Sequence, residues 1–177
     1  AAAEHTIAMM LALSRNIPNA NSSTFLGKWE RKKFVGNELF GKRLGVVGLG
    51  KIGTHVAKVA NALGMDVYGY DPFVSNERAQ QLQVKLSELD DLFQQSDYVT
   101  LHLPRTSETE NLVDMRVLKS MKNNSKLINC ARGGIIDEEA LAEALNKSLI
   151  GGAAIDVFSE EPLASCSPLL KVKKNLI

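Results

Sequence analysis

The stretch "RLGVVGLGKIGTHVAKVANALG", residues 43–64, limits the possible folds more than any other in the chain. It opens as a short apolar run at 43–48 and turns on Gly48-x-Gly50-x-x-Gly53. It then continues with Ile52, Val56, Val59, Ala60 and Leu63 at helical spacing, expected to face inward over a helix at 51–64. A strand, a glycine turn and a helix in immediate succession make a cradle for an anion. Gly48 permits the tight turn and Gly50 lets a diphosphate approach the backbone. Gly53 allows the helix to lie close on its sheet, and the helix N-terminus, with Lys51 and Ile52 in its first turn, faces the charge.

A second apolar run, "DVYGYD" at 66–71, ends on Asp71, the acid expected about 20 residues after the glycines. A carboxylate there can accept hydrogen bonds from the ribose hydroxyls of an adenosine. It would repel a 2′-phosphate, so the pattern points to NAD and not NADP. The plainer reading is a turn aspartate ahead of Pro72. A methyltransferase also carries a glycine turn and an acid after its second strand. It usually lacks a third glycine at this spacing, and it leaves the arginine discussed below unexplained.

The same alternation runs along the chain. Residues 2–15 read as a helix with Ala3, Ile7, Met10 and Leu11 inward, followed by a polar connector at 16–42. Helices are expected at 75–82, at 87–95 with Ser87 as cap, over "MRVLKSM" (115–121), and over "EEALAEALNK" (138–147) with Asp137 as cap. Strands are expected at 97–103, 125–131 and 151–158, and the closing "NLI" reads as the start of another. Short, uniformly apolar strands between helices predict an α/β fold: a doubly wound parallel sheet with helices on both faces, in one dinucleotide-binding domain over 1–177.

Charge excludes some partners. With 21 basic and 20 acidic residues the net charge is +1, giving no electrostatic case for nucleic acid or an anionic membrane. No apolar run is long enough to span a bilayer. The two cysteines, Cys130 and Cys166, form no metal-type pair, no metal is expected, and the chain reads as reduced and cytoplasmic. The opening segment has neither a starting methionine nor a basic leader, so the chain is expected to be a piece of a longer protein.

The stretch "LINCARGGIIDEEAL", 127–141, delivers Arg132 to the end of an apolar strand with two glycines behind it. A planar guanidinium grips a carboxylate at two points, which suits a residue that orients a substrate. "GLGKIG", "YDP" (70–72), "LHLP" (101–104), "INCARGG" (128–134) and "DVFSEEP" (156–162) occur in the order seen in D-isomer-specific 2-hydroxyacid dehydrogenases, which this chain resembles over nearly its whole length. The connector "GKWERKKFVGNEL" (27–39) looks like the branch of that family that acts on phosphoglycerate.

That resemblance implies a Rossmann-like NAD-binding domain and oxidation of a D-2-hydroxy acid by hydride transfer, most simply D-3-phosphoglycerate in serine synthesis. The alternatives are glycerate, lactate or a similar acid, or a non-catalytic NAD-sensing dimer like the corepressors built on this fold. It makes Arg132 the residue that binds the substrate carboxylate and carbonyl, and Glu161 the acid that holds a catalytic histidine. Asp156 would contact the nicotinamide end, with Leu103, Pro104, Cys130 and Ala131 lining the cofactor site. The resemblance puts the histidine past Ile177 and a discontinuous substrate domain on both flanks, so these residues alone are expected to be inactive. His5, His55 and His102 are read as structural or surface residues. The resemblance also implies a homodimer through residues 1–40, with Arg31 reaching the partner's substrate and Trp29 and Phe34 burying apolar area at the contact.

Overall fold

A computed structural model describes residues 1–177. Its centre is a sheet of six parallel strands in the order β3-β2-β1-β4-β5-β6. These are β1 (Arg43–Val47), β2 (Asp66–Tyr70), β3 (Lys85–Leu86), β4 (Tyr98–Leu101), β5 (Lys126–Asn129) and β6 (Gly152–Ile155). All residues of β4, β5 and β6 are buried, which is why these strands are largely apolar and do not alternate, with Thr100, Lys126 and Asn129 as their buried polar members. The closing segment adds to β6: Ala153 N donates to Asn175 O at 2.8 Å, Ile155 N to Ile177 O at 2.9 Å, and Ile177 N to Ala153 O at 3.1 Å. The expected start of a further strand is therefore present.

Two helices precede the sheet, α1 (Ala2–Ser14) and α2 (Ile17–Phe25), and five join its strands: α3 (Lys51–Ala62), α4 (Asn76–Gln81), α5 (Leu89–Gln95), α6 (Met115–Ser120) and α7 (Glu138–Asn146). One face of the sheet is closed by α1 and α3, with Met10, Leu44, Val46, Val56 and Ala60 wholly buried between them. The other face is closed by α5, α6 and α7 through Leu92, Leu118, Leu127, Leu141 and Leu145. Each of the Leu, Val and Met side chains among them contributes roughly 1.5–3 kcal/mol relative to exposure. The expected doubly wound sheet is thus the fold.

Several local expectations are corrected. The polar connector contains α2, which buries only Ser23 and so has no apolar stripe to betray it; Pro18 in its first turn favours its start. Ser87 does not cap α5: its hydroxyl donates to Glu88 O, and Glu88 occupies the cap position without a side-chain bond. Leu11, Ile52 and Leu63 are exposed, not inward. Ile52 lies in the opening turn of α3, beyond the sheet's cover, and Leu63 follows the last full turn of that helix. Asp137 caps α7 as expected, accepting from Ala140 N at 3.1 Å.

Candidate functional site

The connections reverse direction between β1 and β4, whose C-terminal ends therefore part and leave a crevice. The glycine turn sits there. Gly48 has φ +95°, and a Cβ on it would lie 2.6 Å from His102 O, so only glycine fits. A Cβ on Gly53 would strike Gly48 O, which shows how tightly α3 lies over the turn. Gly50 differs: a Cβ there would meet nothing within 4 Å. Its openness faces a space outside the protein.

The start of α3 carries no side-chain cap. The N–H groups of Lys51, Ile52 and Gly53 find no acceptor in the chain. An uncapped helix N-terminus beside an open glycine suits a diphosphate. Asp71 lies across from it and accepts from Leu49 N at 2.8 Å and from Phe73 N at 2.9 Å. The carboxylate thus ties the glycine turn to the end of β2. Its oxygens keep lone pairs for further donors. These residues fit a dinucleotide on geometry alone.

After β4 the chain passes through His102, Leu103 and Pro104. Burial drives the His102 imidazole down to about 4, and its Nε2 lies 3.0 Å from Thr100 Oγ1. It is a neutral, structural histidine. Leu103 packs at 3.1 Å from the Cβ position of Gly48. His55 is exposed on α3. His5 is not merely on the surface: its Nε2 lies 3.1 Å from Asp156 Oδ1, just past the end of β6.

The turn after β5 presents Arg132. Its guanidinium is exposed, bonds only the neighbouring Ala131 O, at 2.6 Å, and makes no ion pair. Asn129, which the sequence reading passed over, sits buried beneath it. The Asn129 amide donates to Arg132 O at 3.0 Å and its carbonyl accepts from Ala131 N at 3.0 Å. A Cβ on Gly133 would strike Phe158 O, so the arginine turn lies directly against the loop after β6. In that loop Glu161 is exposed and accepts from Phe158 N at 3.0 Å, while Ser159 N donates to Glu138 at the start of α7 at 2.6 Å. The structure thus brings the loops of Arg132 and Glu161 together. No histidine pairs with Glu161 among these residues.

Cys130 is half-buried, and burial pushes its thiol up to about 11, far from a nucleophile at neutral pH. Cys166 is exposed and unpaired. Arg31 is exposed on a 3-10 turn (Arg31–Phe34) well along the connector, without an ion pair. Trp29 is 84% exposed, and Phe25, Leu26, Val35 and Phe40 are also uncovered.

A doubly wound sheet with an open glycine turn, an uncapped helix and an acid at the second strand defines a dinucleotide-binding domain. Residues 7–177 match the family described as D-isomer specific 2-hydroxyacid dehydrogenase, NAD binding domain, and the chain belongs to that family. It is 58% identical over 163 residues to the D-3-phosphoglycerate dehydrogenase of Synechocystis sp., covering 92% of this chain and 29% of that protein. Against the D-3-phosphoglycerate dehydrogenase of Archaeoglobus fulgidus it is 52% identical over 170 residues, covering 96% and 32%. The chain therefore spans under a third of the length of either relative. Among solved structures it resembles an NAD-dependent formate dehydrogenase from Staphylococcus aureus in complex with NAD, with a TM-score of 0.91, 34% identity, and 99% and 53% of the two chains covered. A D-lactate dehydrogenase from Aquifex aeolicus complexed with NAD and lactic acid gives 0.88, 32%, 99% and 57%. No helix is long and apolar enough to cross a membrane.

Proposed function

We propose that this chain is the NAD-binding domain of an enzyme that oxidises D-3-phosphoglycerate to 3-phosphohydroxypyruvate in the cytoplasm. The reading rests chiefly on the exposed guanidinium of Arg132, which makes no ion pair and whose turn lies against the loop of Glu161. Gly48, Gly50, Lys51, Ile52 and Gly53 receive the diphosphate, and Asp71 takes the adenosine ribose. Leu103, Pro104, Cys130, Ala131 and Asp156 line the remainder of the cofactor. NAD, when bound, supplies the hydride acceptor.

Arg132 grips the substrate carboxylate and carbonyl oxygen, fixing the hydride-bearing carbon. Glu161 accepts a hydrogen bond from a histidine outside residues 1–177 and stabilises its imidazolium once it has taken the hydroxyl proton. A second domain, formed by flanking segments, holds the phosphate. Residues 1–40 form a homodimer contact, supported by the uncovered Phe25, Leu26, Trp29 and Val35, and Arg31 reaches toward the partner's substrate.

The test is turnover in a polypeptide carrying this domain with flanking segments like those of its relatives. NADH absorbance is followed with D-3-phosphoglycerate, D-glycerate and D-lactate at equal concentration. A preference for phosphoglycerate is expected. Activity on an unphosphorylated acid alone would overturn the substrate while keeping the cofactor domain.

A further inference from the structure

Three side chains from distant parts of the sequence meet at the C-terminal edge of the sheet without a role shared among them. His5 comes from α1, Cys130 follows β5, and Asp156 follows β6. Their ligand atoms, an imidazole nitrogen, a thiol sulfur and a carboxylate oxygen, all lie within 4.8 Å of one another. His5 Nε2 and Asp156 Oδ1 are already 3.1 Å apart. We propose that His5, Cys130 and Asp156 form a binding site for Zn2+, and that the metal and the nicotinamide end of NAD exclude each other there.

The donor set selects the ion. One sulfur, one imidazole and one carboxylate suit Zn2+, whereas Mg2+ and Ca2+ require sets made of oxygen. As Zn2+ binds, the Cys130 thiol gives up its proton to solvent, and the resulting thiolate and the carboxylate together neutralise the divalent charge. Three protein ligands also leave a fourth tetrahedral position open to water or a small anion. With Zn2+ bonds of about 2.0–2.3 Å, tetrahedral ligand atoms stand roughly 3.3–3.7 Å apart, so closure asks for a shift of about 1 Å. His5 and Asp156 can supply it, since their side chains are 47% and 45% exposed. Cys130 supplies the fixed corner at the end of a buried strand.

The exclusion rests on the reading of Asp156 and Cys130 as part of the cofactor site. A carboxylate committed to a metal cannot also accept from a carboxamide in the same geometry. Zinc bound there would act as a reversible inhibitor at the cofactor's reactive end.

The experiment uses Co2+ as the visible stand-in, titrated into the reduced, cofactor-free chain. A thiolate-to-cobalt charge-transfer band is expected, saturating near one equivalent and bleached by Zn2+. Cys130→Ser should abolish it, while His5→Ala and Asp156→Asn should each weaken binding at least tenfold. Cys166→Ser should leave it unchanged, and far-UV circular dichroism checks that every variant is folded. An absent band, one that survives Cys130→Ser, or one indifferent to His5→Ala overturns the site. NADH fluorescence, read separately, reports cofactor binding, and NADH should weaken Co2+ binding at least tenfold. If NADH binds but leaves the band untouched, exclusion is overturned and the cofactor reading stands. If NADH does not bind while the band behaves as expected, the cofactor reading falls and the metal site stands.

Discussion

The side-chain amide of Asn129 donates to the carbonyl of Arg132 at 3.0 Å from beneath the turn, and its oxygen accepts from Ala131 N. The arginine's backbone is therefore fixed while its guanidinium stays exposed, bonded only to Ala131 O. Both bonds are sheltered, since Asn129 is buried at the end of β5. Asn129→Ala should remove both and strand two backbone groups, costing about 1–3 kcal/mol. A fall in melting temperature of about 2–10 °C follows for a chain of this size. A thermal melt unchanged from the parent would mean that the turn holds itself.

Gly50 and Gly53 should respond oppositely to alanine. Gly53→Ala drives a methyl into Gly48 O and should destabilise the fold by about 1–3 kcal/mol or more. Gly50→Ala meets open space at φ −68°, which alanine adopts freely, so the melt should be preserved. Its loss should appear in NADH affinity, at least tenfold, or about 1.4 kcal/mol. Equal affinity in Gly50→Ala would place the diphosphate elsewhere.

Arg132→Lys keeps the charge and loses the two-point grip. The side chain is exposed, makes no ion pair and bonds only the neighbouring Ala131 O, so stability should move by less than about 0.5 kcal/mol. In the longer polypeptide kcat/KM should fall by at least about a hundredfold, with NADH affinity held within a few-fold. Steady-state kinetics beside a fluorescence titration separates the two. A lysine enzyme with parental kcat/KM would remove Arg132 from the substrate.

Acid should weaken the domain through His102. Burial lowers its folded value to about 4 against an ordinary 6.5, so between those values the unfolded chain binds the extra proton. Stability is full above about 6.5 and declines as pH falls toward 4, with a slope that approaches 1.4 kcal/mol per unit, as an order of magnitude. His102→Gln should flatten that slope in urea melts taken across the window. Asp97 acts lower down. Burial would raise its carboxyl, but bonds from Lys122 at 2.9 Å and Arg43 N at 2.9 Å outweigh that and hold it below the ordinary range. Its contribution is lost only as pH falls below about 4.

The parts of the fold legible in sequence were those that physics makes uniform. A buried parallel strand such as "GAAI" must be continuous in character, and the stripe of α3 at Val56 and Ala60 must recur with the helix. What escaped was stabilised otherwise. α2 is mostly solvent-exposed, and Ser22 and Thr24 turn their hydroxyls back onto Pro18 O and Ala20 O. β3 has two residues, too few for any pattern. In the site, Gly48, Gly53, Asp71 and Arg132 were visible because each answers a local geometric demand. Asn129 looks like any polar residue at a strand end until its partners are seen. His5 and Asp156 are joined only by the winding of the sheet, which no spacing rule encodes.

The segment Asn175–Ile177 beside β6 has a consequence for solubility. A sheet margin with free N–H and C=O groups is a template on which another copy can grow. At one margin β3 is very short and its Lys85 pairs with Asp66, an awkward surface for a stranger's strand. At the other, β6 is apolar and uncharged, and the three closing residues take up the bonding of Ala153 and Ile155. Shortening the chain by those residues would leave the loops of Arg132 and Glu161 intact in sequence yet bare an adhesive ribbon. The shortened protein should fail first by self-association.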